Sequence, residues 1–240
     1  MTAYSKIDVI VLAGGLGTRL RDAVPDVPKP LAPVAGRPFL DILLGGLDGK
    51  PWIGKIVLAI GHMADRIVAA YSGRKMFSFD IIFSVECEPL GTGGAARLAL
   101  DRTETPEVLV LNGDSFVEAD WEDFIDRHRC MGYPLSMVLR QVADVERYGR
   151  VVLDEQGRVL RFEEKRAGAG PGLVNAGAYL FDRRLLERVP IGRNLSMEVD
   201  LMPGFLQEGA GGVVTVGKFI DIGMPESYRL AQRYLEDKTR

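Results

Sequence analysis

Arg19 and Lys29 follow a glycine-rich turn: the apolar run Ile7–Leu12 stops at Ala13, Gly14 and Gly15, with a third glycine at Gly17. Glycines let a backbone come close to a ligand, and positive φ angles there turn several N–H groups toward one point, a concavity suited to phosphate oxygens. Arg19 adds five donors in a fixed fork, and Lys29, stiffened between Pro28 and Pro30, adds a compact point charge. Such a loop suits a nucleoside triphosphate; its plain alternative is a glycine turn with a solvated arginine. Spacing removes two competitors. The P-loop pattern has no match here, and a G-x-G-x-x-G fingerprint counted from Gly15 needs glycine where the chain has Leu20.

Other residues of chemical interest come later in the chain. In Glu86–Ala96, Gly91, Gly93 and Gly94 lie between a strand pattern and a helix pattern, so backbone N–H and C=O groups could meet the edge of a flat base, with Thr92 adding a hydroxyl. A tight turn is the simpler alternative. Asp114 follows Gly113 at the carboxyl end of an apolar run, where ligand crevices of open α/β sheets lie, and an N-cap role competes. Asp221 sits where another apolar run meets a glycine turn. Mg²⁺ takes one or two carboxylates besides phosphate oxygens and water, so two aspartates brought to one crevice would suffice. Gly149, Glu164, Lys165, Asn175 and Gly177 mark three further strings, in which the Glu-Lys pair reads equally as a solvated strand edge. The sequence has no G-x-S-x-G, no histidine beside a candidate nucleophile and no Cys/His cluster, so nothing supports covalent or zinc chemistry. His62 and His128 read as residues on polar helix faces and receive no role.

Positioning these residues needs alternating elements. Strands are expected at residues 7–12, 55–60, 80–85 and 108–111, with helices at 63–71, 93–100 and 120–129, a rhythm that favours a mostly parallel sheet covered on both faces. The rhythm then changes to strands at 135–140, 149–153, 159–163 and 174–181, an accessory antiparallel layer. A helix at 196–208 with Ser196 as N-cap, a strand at 213–216 and a helix at 225–234 close the chain. Its 240 residues, 47% hydrophobic, suit one domain, with residues 1–130 as a nucleotide half and 131–240 as an acceptor half. The charge is −3 with no block of like sign, which gives no sign of a nucleic-acid or membrane partner. Cys87 and Cys130 form no CxxC, and the chain has neither a secretory h-region nor an apolar run near 18 residues, so a soluble, cytoplasmic protein is expected.

The strings LAGGLGTRL and PKPLAPVAGRPFL together resemble the signature of the sugar-1-phosphate nucleotidylyltransferases. EPLGTGGA, LNGDSF, RYG, FEEK and FIDIGMPE extend the likeness from Ile7 to Tyr228 and look like the short bacterial D-glycero-D-manno-heptose 1-phosphate guanylyltransferases. The resemblance implies a Rossmann-like three-layer α/β/α fold of the nucleotide-diphospho-sugar transferase type. It implies that Leu12, Ala13, Gly14, Gly15, Gly17 and Thr18 wrap the nucleotide with Arg19 and Lys29 on its phosphates, and that Glu88, Pro89, Gly91, Thr92 and Gly93 select the base. Asp114 and Asp221 become the Mg²⁺ ligands, and Lys165 grips the sugar phosphate. Asn112, Gly113, Gly149, Glu164, Asn175, Ala176 and Gly177 meet the sugar phosphate. Ser115 departs from relatives that carry an amide or acid there. The implied reaction transfers a nucleotidyl group, GMP in the heptose group, from NTP to a sugar 1-phosphate and releases pyrophosphate. Arg19, Lys29, Asp114 and Lys165 are the catalytic residues of that reading, and a homo-oligomer is compatible with it. The alternatives are a uridylyl-, thymidylyl- or mannose-1-phosphate guanylyltransferase and, in another class, a non-catalytic nucleotide-sugar-binding regulator. A guanine pocket needs hydrogen-bond acceptors, and Glu86 and Glu88, alternating on an extended strand, would point to one side as candidates.

Overall fold

Ile7–Leu12 forms strand β1, and its alternation places it: Ile7, Val9 and Val11 join one core while Ile10 joins the other, so the strand is buried on both faces. The computed structural model describes residues 5–20, 23–163, 168 and 170–238. After β1 come β2 (Pro33–Val34), β3 (Arg37–Pro38), α1 (Phe39–Gly45), β4 (Ile53–Ile60), α2 (Ala64–Tyr71), β5 (Asp80–Val85), α3 (Gly91–Leu100), β6 (Glu107–Asn112) and β7 (Ser115–Val117). The remainder comprises α4 (Trp121–Met131), β8 (Leu135–Val142), β9 (Arg150–Leu153), β10 (Val159–Glu163), β11 (Gly172–Asp182) and α5 (Arg183–Glu187). A π-helical turn at Met197–Leu201 then leads into α6 (Met202–Glu208), β12 (Gly211–Thr215), β13 (Phe219–Asp221) and α7 (Pro225–Tyr234).

The parallel strands run in the order β5, β4, β1, β6. The chain moves from β1 outward through β4 to β5 and returns to β6 on β1's other side, so a topological switch point opens between the carboxyl ends of β1 and β6. Antiparallel β11 pairs with β6 and carries β8, β9 and β10 into the same nine-stranded sheet, with β12 beside β8. The strands of the second half therefore extend the parallel sheet. Two small antiparallel pairs stand apart from it, β2 with β3 and β7 with β13.

Asp8, 2% exposed, is the polar exception within β1. Its Oδ1 accepts from the Lys55 N–H at 3.0 Å, and its Oδ2 accepts from the N–H groups of Glu104 (2.7 Å) and Thr105 (3.3 Å). The carboxylate thus ties β1 to β4 and to the loop before β6.

Several elements differ from the sequence reading. Helix α3 starts at Gly91 instead of residue 93, and the helix expected at 196–208 opens as the π-helical turn, though Ser196 caps it as expected, its Oγ accepting from the Val199 N–H at 3.2 Å. His128 is buried, with Nδ1 2.8 Å from Ser136 Oγ, because Trp121, Phe124, Ile125 and His128 form the inward stripe of α4. His62 precedes α2 in the turn after β4 and lies on no helix face.

Candidate active site

At the switch point, the turn after β1 and the turn after β6 are packed backbone to backbone. The Gly113 N–H donates to the Leu12 carbonyl at 2.9 Å, and a Cβ on Gly113 would lie 2.6 Å from that oxygen, so only glycine fits. Above this junction opens a crevice of about 500 Å³. Leu12, Ala13, Gly14 and Gly15 form one wall, Asn112, Gly113 and Asp114 the floor, and Glu88, Pro89, Gly91 and Thr92 another wall. Residues from three separate parts of the sequence are thus brought together as expected.

The glycines do not all serve as the sequence suggested. Gly17 has φ +59°, but Gly14 and Gly15 lie outside the left-handed region. Glu86 lies against both Gly14 and Gly61: a Cβ on Gly14 would come 2.7 Å from Glu86 Oε1, and one on Gly61 would come 2.3 Å from the same atom and 2.6 Å from Glu86 Cγ. Gly17 and Thr18 lie outside the crevice lining, and so does the exposed Arg19, whose guanidinium donates to Met224 Sδ at 3.8 Å. Gly93 is buried, and its N–H is taken by the Leu195 carbonyl at 2.8 Å. The Thr92 hydroxyl accepts from the Met197 N–H at 2.8 Å. Part of the glycine-rich start of α3 therefore serves to seat the segment before the π-helical turn.

Lys29 sits in a 3₁₀ turn between prolines and reaches the crevice floor, where its ammonium pairs with Asp114 Oδ2. Asp221 arrives beside Asp114 through the β7/β13 ribbon: Asp221 is paired with Ser115, and the Ile222 N–H donates to the Asp114 carbonyl at 2.9 Å. Burial and then the Asp114 charge push the Asp221 carboxyl above the ordinary aspartate range, while Lys29, the Gly223 N–H and Arg147 pull it back. Two carboxylates that repel each other on a partly buried floor are suited to a divalent cation, and two are enough where phosphate oxygens complete the shell. Among the described residues no cluster of three or more His, Cys, Asp or Glu could hold a metal alone.

Glu86, not the exposed Glu88, turns inward. Strand β5 ends at Val85, so strand alternation does not govern either residue; Glu86 Oε2 accepts from the Leu90 N–H at 3.1 Å and so caps the bend. Burial raises its carboxyl above the ordinary glutamate range, and that hydrogen bond opposes the rise. His62 and Asn194 also line the crevice and were not singled out in the sequence. Asn194 is marked only by contact across the fold, whereas His62 directly follows Gly61, which packs on Glu86.

Of the residues expected to meet the acceptor, Gly149 has φ +80° at the head of β9. Gly177 has φ +75° and lies against Asn112, whose Nδ2 would be 2.7 Å from a Cβ at that position. Ala176 is buried in the core and Asn175 is half-buried on β11. Glu164 and Lys165 lie outside the described residues.

This fold agrees with what comparison with known proteins shows. A profile for the nucleotidyl transferase family matches residues 8–238, and the chain belongs to that family. It is 35% identical over 231 residues to the D-glycero-α-D-manno-heptose 1-phosphate guanylyltransferase of Aneurinibacillus thermoaerophilus, an alignment covering 96% of this chain and 99% of that protein. The enzyme of the same name from Campylobacter jejuni subsp. jejuni is 35% identical over 222 residues, covering 92% and 97% of the two chains. The crystal structure of HddC from Yersinia pseudotuberculosis, 36% identical, matches with a TM-score of 0.84 over 95% of this chain and 98% of that one, and a second HddC structure is a complex with GMP-PN.

Proposed function

We propose that this enzyme transfers GMP from GTP to a sugar 1-phosphate, D-glycero-D-manno-heptose 1-phosphate, giving GDP-heptose and pyrophosphate. The observation that carries the reading is the meeting of Lys29 and Asp114 on the floor of the crevice between β1 and β6, with the partly buried Asp221 beside them. The match to guanylyltransferases along nearly their whole length supports the choice of base and sugar.

A sugar 1-phosphate is already ionised at neutral pH. One of its oxygens attacks the α-phosphorus of the NTP in line, a new P–O bond forms, and the α–β bridging oxygen leaves with pyrophosphate. No general base is required, so the protein's task is to position two anions and offset their repulsion. Lys29 supplies a positive charge at the crevice floor, Arg19, on the loop that follows the crevice wall, is assigned to the triphosphate, and Lys165 receives the incoming phosphate. Asp114 and Asp221 would hold Mg²⁺, which when bound neutralises phosphate charge. Glu86 provides the acceptor that the N1–H and N2 amine of guanine need.

A matrix of four NTPs against heptose, mannose, glucose and glucosamine 1-phosphates, read as pyrophosphate release, tests this. GTP with the heptose phosphate should be the best pair, and excess chelator should silence it. A preference for UTP or dTTP overturns the choice of base, and no release from any pair overturns the activity.

A further inference from the structure

A polar network joins Asn175, Tyr179 and Glu198 beside the crevice. The pairing of β11 with β8 slips between Asn175 and Tyr179, and this irregularity folds the Asn175 side chain back along its own strand. Asn175 Oδ1 accepts from the Gly177 N–H at 3.0 Å, and its Nδ2 lies 2.5 Å from Tyr179 Oη and 2.9 Å from Glu198 Oε1. Tyr179, 1% exposed, places its hydroxyl 3.3 Å from the same Glu198 oxygen. Both amide hydrogens of Asn175 are thus committed within the protein.

Glu198 is different. Its side chain is exposed, and among the described residues it makes no ion pair and its Oε2 has no hydrogen-bond partner. Two neutral donors hold one oxygen and leave the other as an acceptor that no described residue engages. The residue sits in the π-helical turn Met197–Leu201, a distortion that recurs at functional sites, and that turn is tied to the crevice wall through the Met197 N–H and Thr92. It also lines a groove of about 330 Å³ with Phe162, two residues before Glu164. Glu198 therefore stands between the nucleotide wall, the strand carrying Asn175 and the end of β10.

We propose that Glu198 is a specificity-determining residue of the acceptor subsite, its free carboxylate oxygen accepting a hydrogen bond from a hydroxyl of the sugar, with Asn175 and Tyr179 as positioning residues. This rests on the transfer reaction proposed above. A polyhydroxylated acceptor offers donors that a carboxylate binds strongly, whereas its phosphate end would be repelled.

The test is steady-state kinetics of the wild type, Glu198→Gln, Glu198→Ala and Tyr179→Phe with GTP and the heptose phosphate, together with monodeoxy sugar 1-phosphates. Both Glu198 variants should raise KM for the sugar phosphate by about 10- to 100-fold, the range for a hydrogen bond to a charged group, and keep KM for GTP within about twofold. Tyr179→Phe should shift the same parameter by several-fold. One deoxy analogue should penalise the wild type by the factor that Glu198→Ala loses, and should cost Glu198→Ala nothing further; a residue that only braces the fold would not single out one hydroxyl. A wild type that transfers GMP while the Glu198 variants keep its KM for the sugar phosphate overturns this inference alone. A wild type that makes no product with any sugar 1-phosphate overturns the underlying reaction as well.

Discussion

Glu86 is held against Gly14 and Gly61 by the absence of side chains on both, and its carboxyl titrates above the ordinary glutamate range because it is buried. The sign of the resulting pH effect follows from the partner. Guanine donors need the ionised carboxylate, so GTP binding favours the charged form and is lost as pH falls through the raised folded value. The preference for GTP over UTP should therefore decline on acidification, with the loss beginning above the ordinary glutamate value of 4.5. The ratio of kcat/KM values checks this: one protonation should govern it in the wild type, and the dependence should vanish in Glu86→Gln. The same raised value means that burying the ionised form costs folding stability as pH rises, a cost that the Leu90 N–H only partly offsets. At the crevice floor, Lys29→Ala should lower kcat on the order of 10²-fold, since a preorganised charge at the reacting phosphate is lost, and Arg19→Ala should do likewise if that arginine closes on the triphosphate. Near-normal turnover in either variant, with the fold intact by circular dichroism, removes that residue from the phosphate-binding role.

The elements show which parts of this arrangement a sequence can disclose. Strands β1, β4 and β6 were legible because short β-branched apolar runs are what a parallel strand buried on both faces must look like, and the half-exposed edge strand β5 was legible from its run Ile81–Phe83. Helix α1 was not: Phe39, Leu40, Ile42, Leu43 and Leu44 are all buried, so no polar face gives it a 3.6-residue period. The β7/β13 ribbon has strands of three residues, too short for any pattern, yet it carries Asp221 to Asp114. The inward face of His128 was visible in the spacing of Trp121, Phe124 and Ile125, and residue type misled. Glu198 was missed because a π-helical turn leaves no periodic trace and its partners Asn175 and Tyr179 sit about twenty residues earlier in the chain. Asp8 makes a prediction at this scale. Asp8→Ala leaves three N–H groups of β4 and the loop before β6 without their partner in a partly buried place, and should reduce unfolding free energy by about 2 kcal/mol in denaturant titration while leaving KM values alone. A loss below about 0.5 kcal/mol contradicts the clamp.

At the scale of the molecule, the sheet does more than support two halves. Strand β11 pairs with β6, so the strand bearing Asn175 and Gly177 is hydrogen-bonded to the strand that ends in Asn112 and leads to Asp114. The residues proposed to hold the acceptor and the metal are thereby fixed on one rigid element pair, which suits a reaction that depends on placing two anions in line. Among the described residues no helix is long and apolar enough to cross a membrane. The central claim is that the bond broken lies between the α- and β-phosphates and that the sugar phosphate takes the α-phosphorus. Parallel reactions with GTP labelled at the α- or the γ-phosphate, in the presence of D-glycero-D-manno-heptose 1-phosphate, test it most directly. The α-label should appear in the nucleotide sugar and the γ-label in pyrophosphate; γ-label recovered as free phosphate, or α-label confined to nucleotides that carry no sugar, would contradict the account.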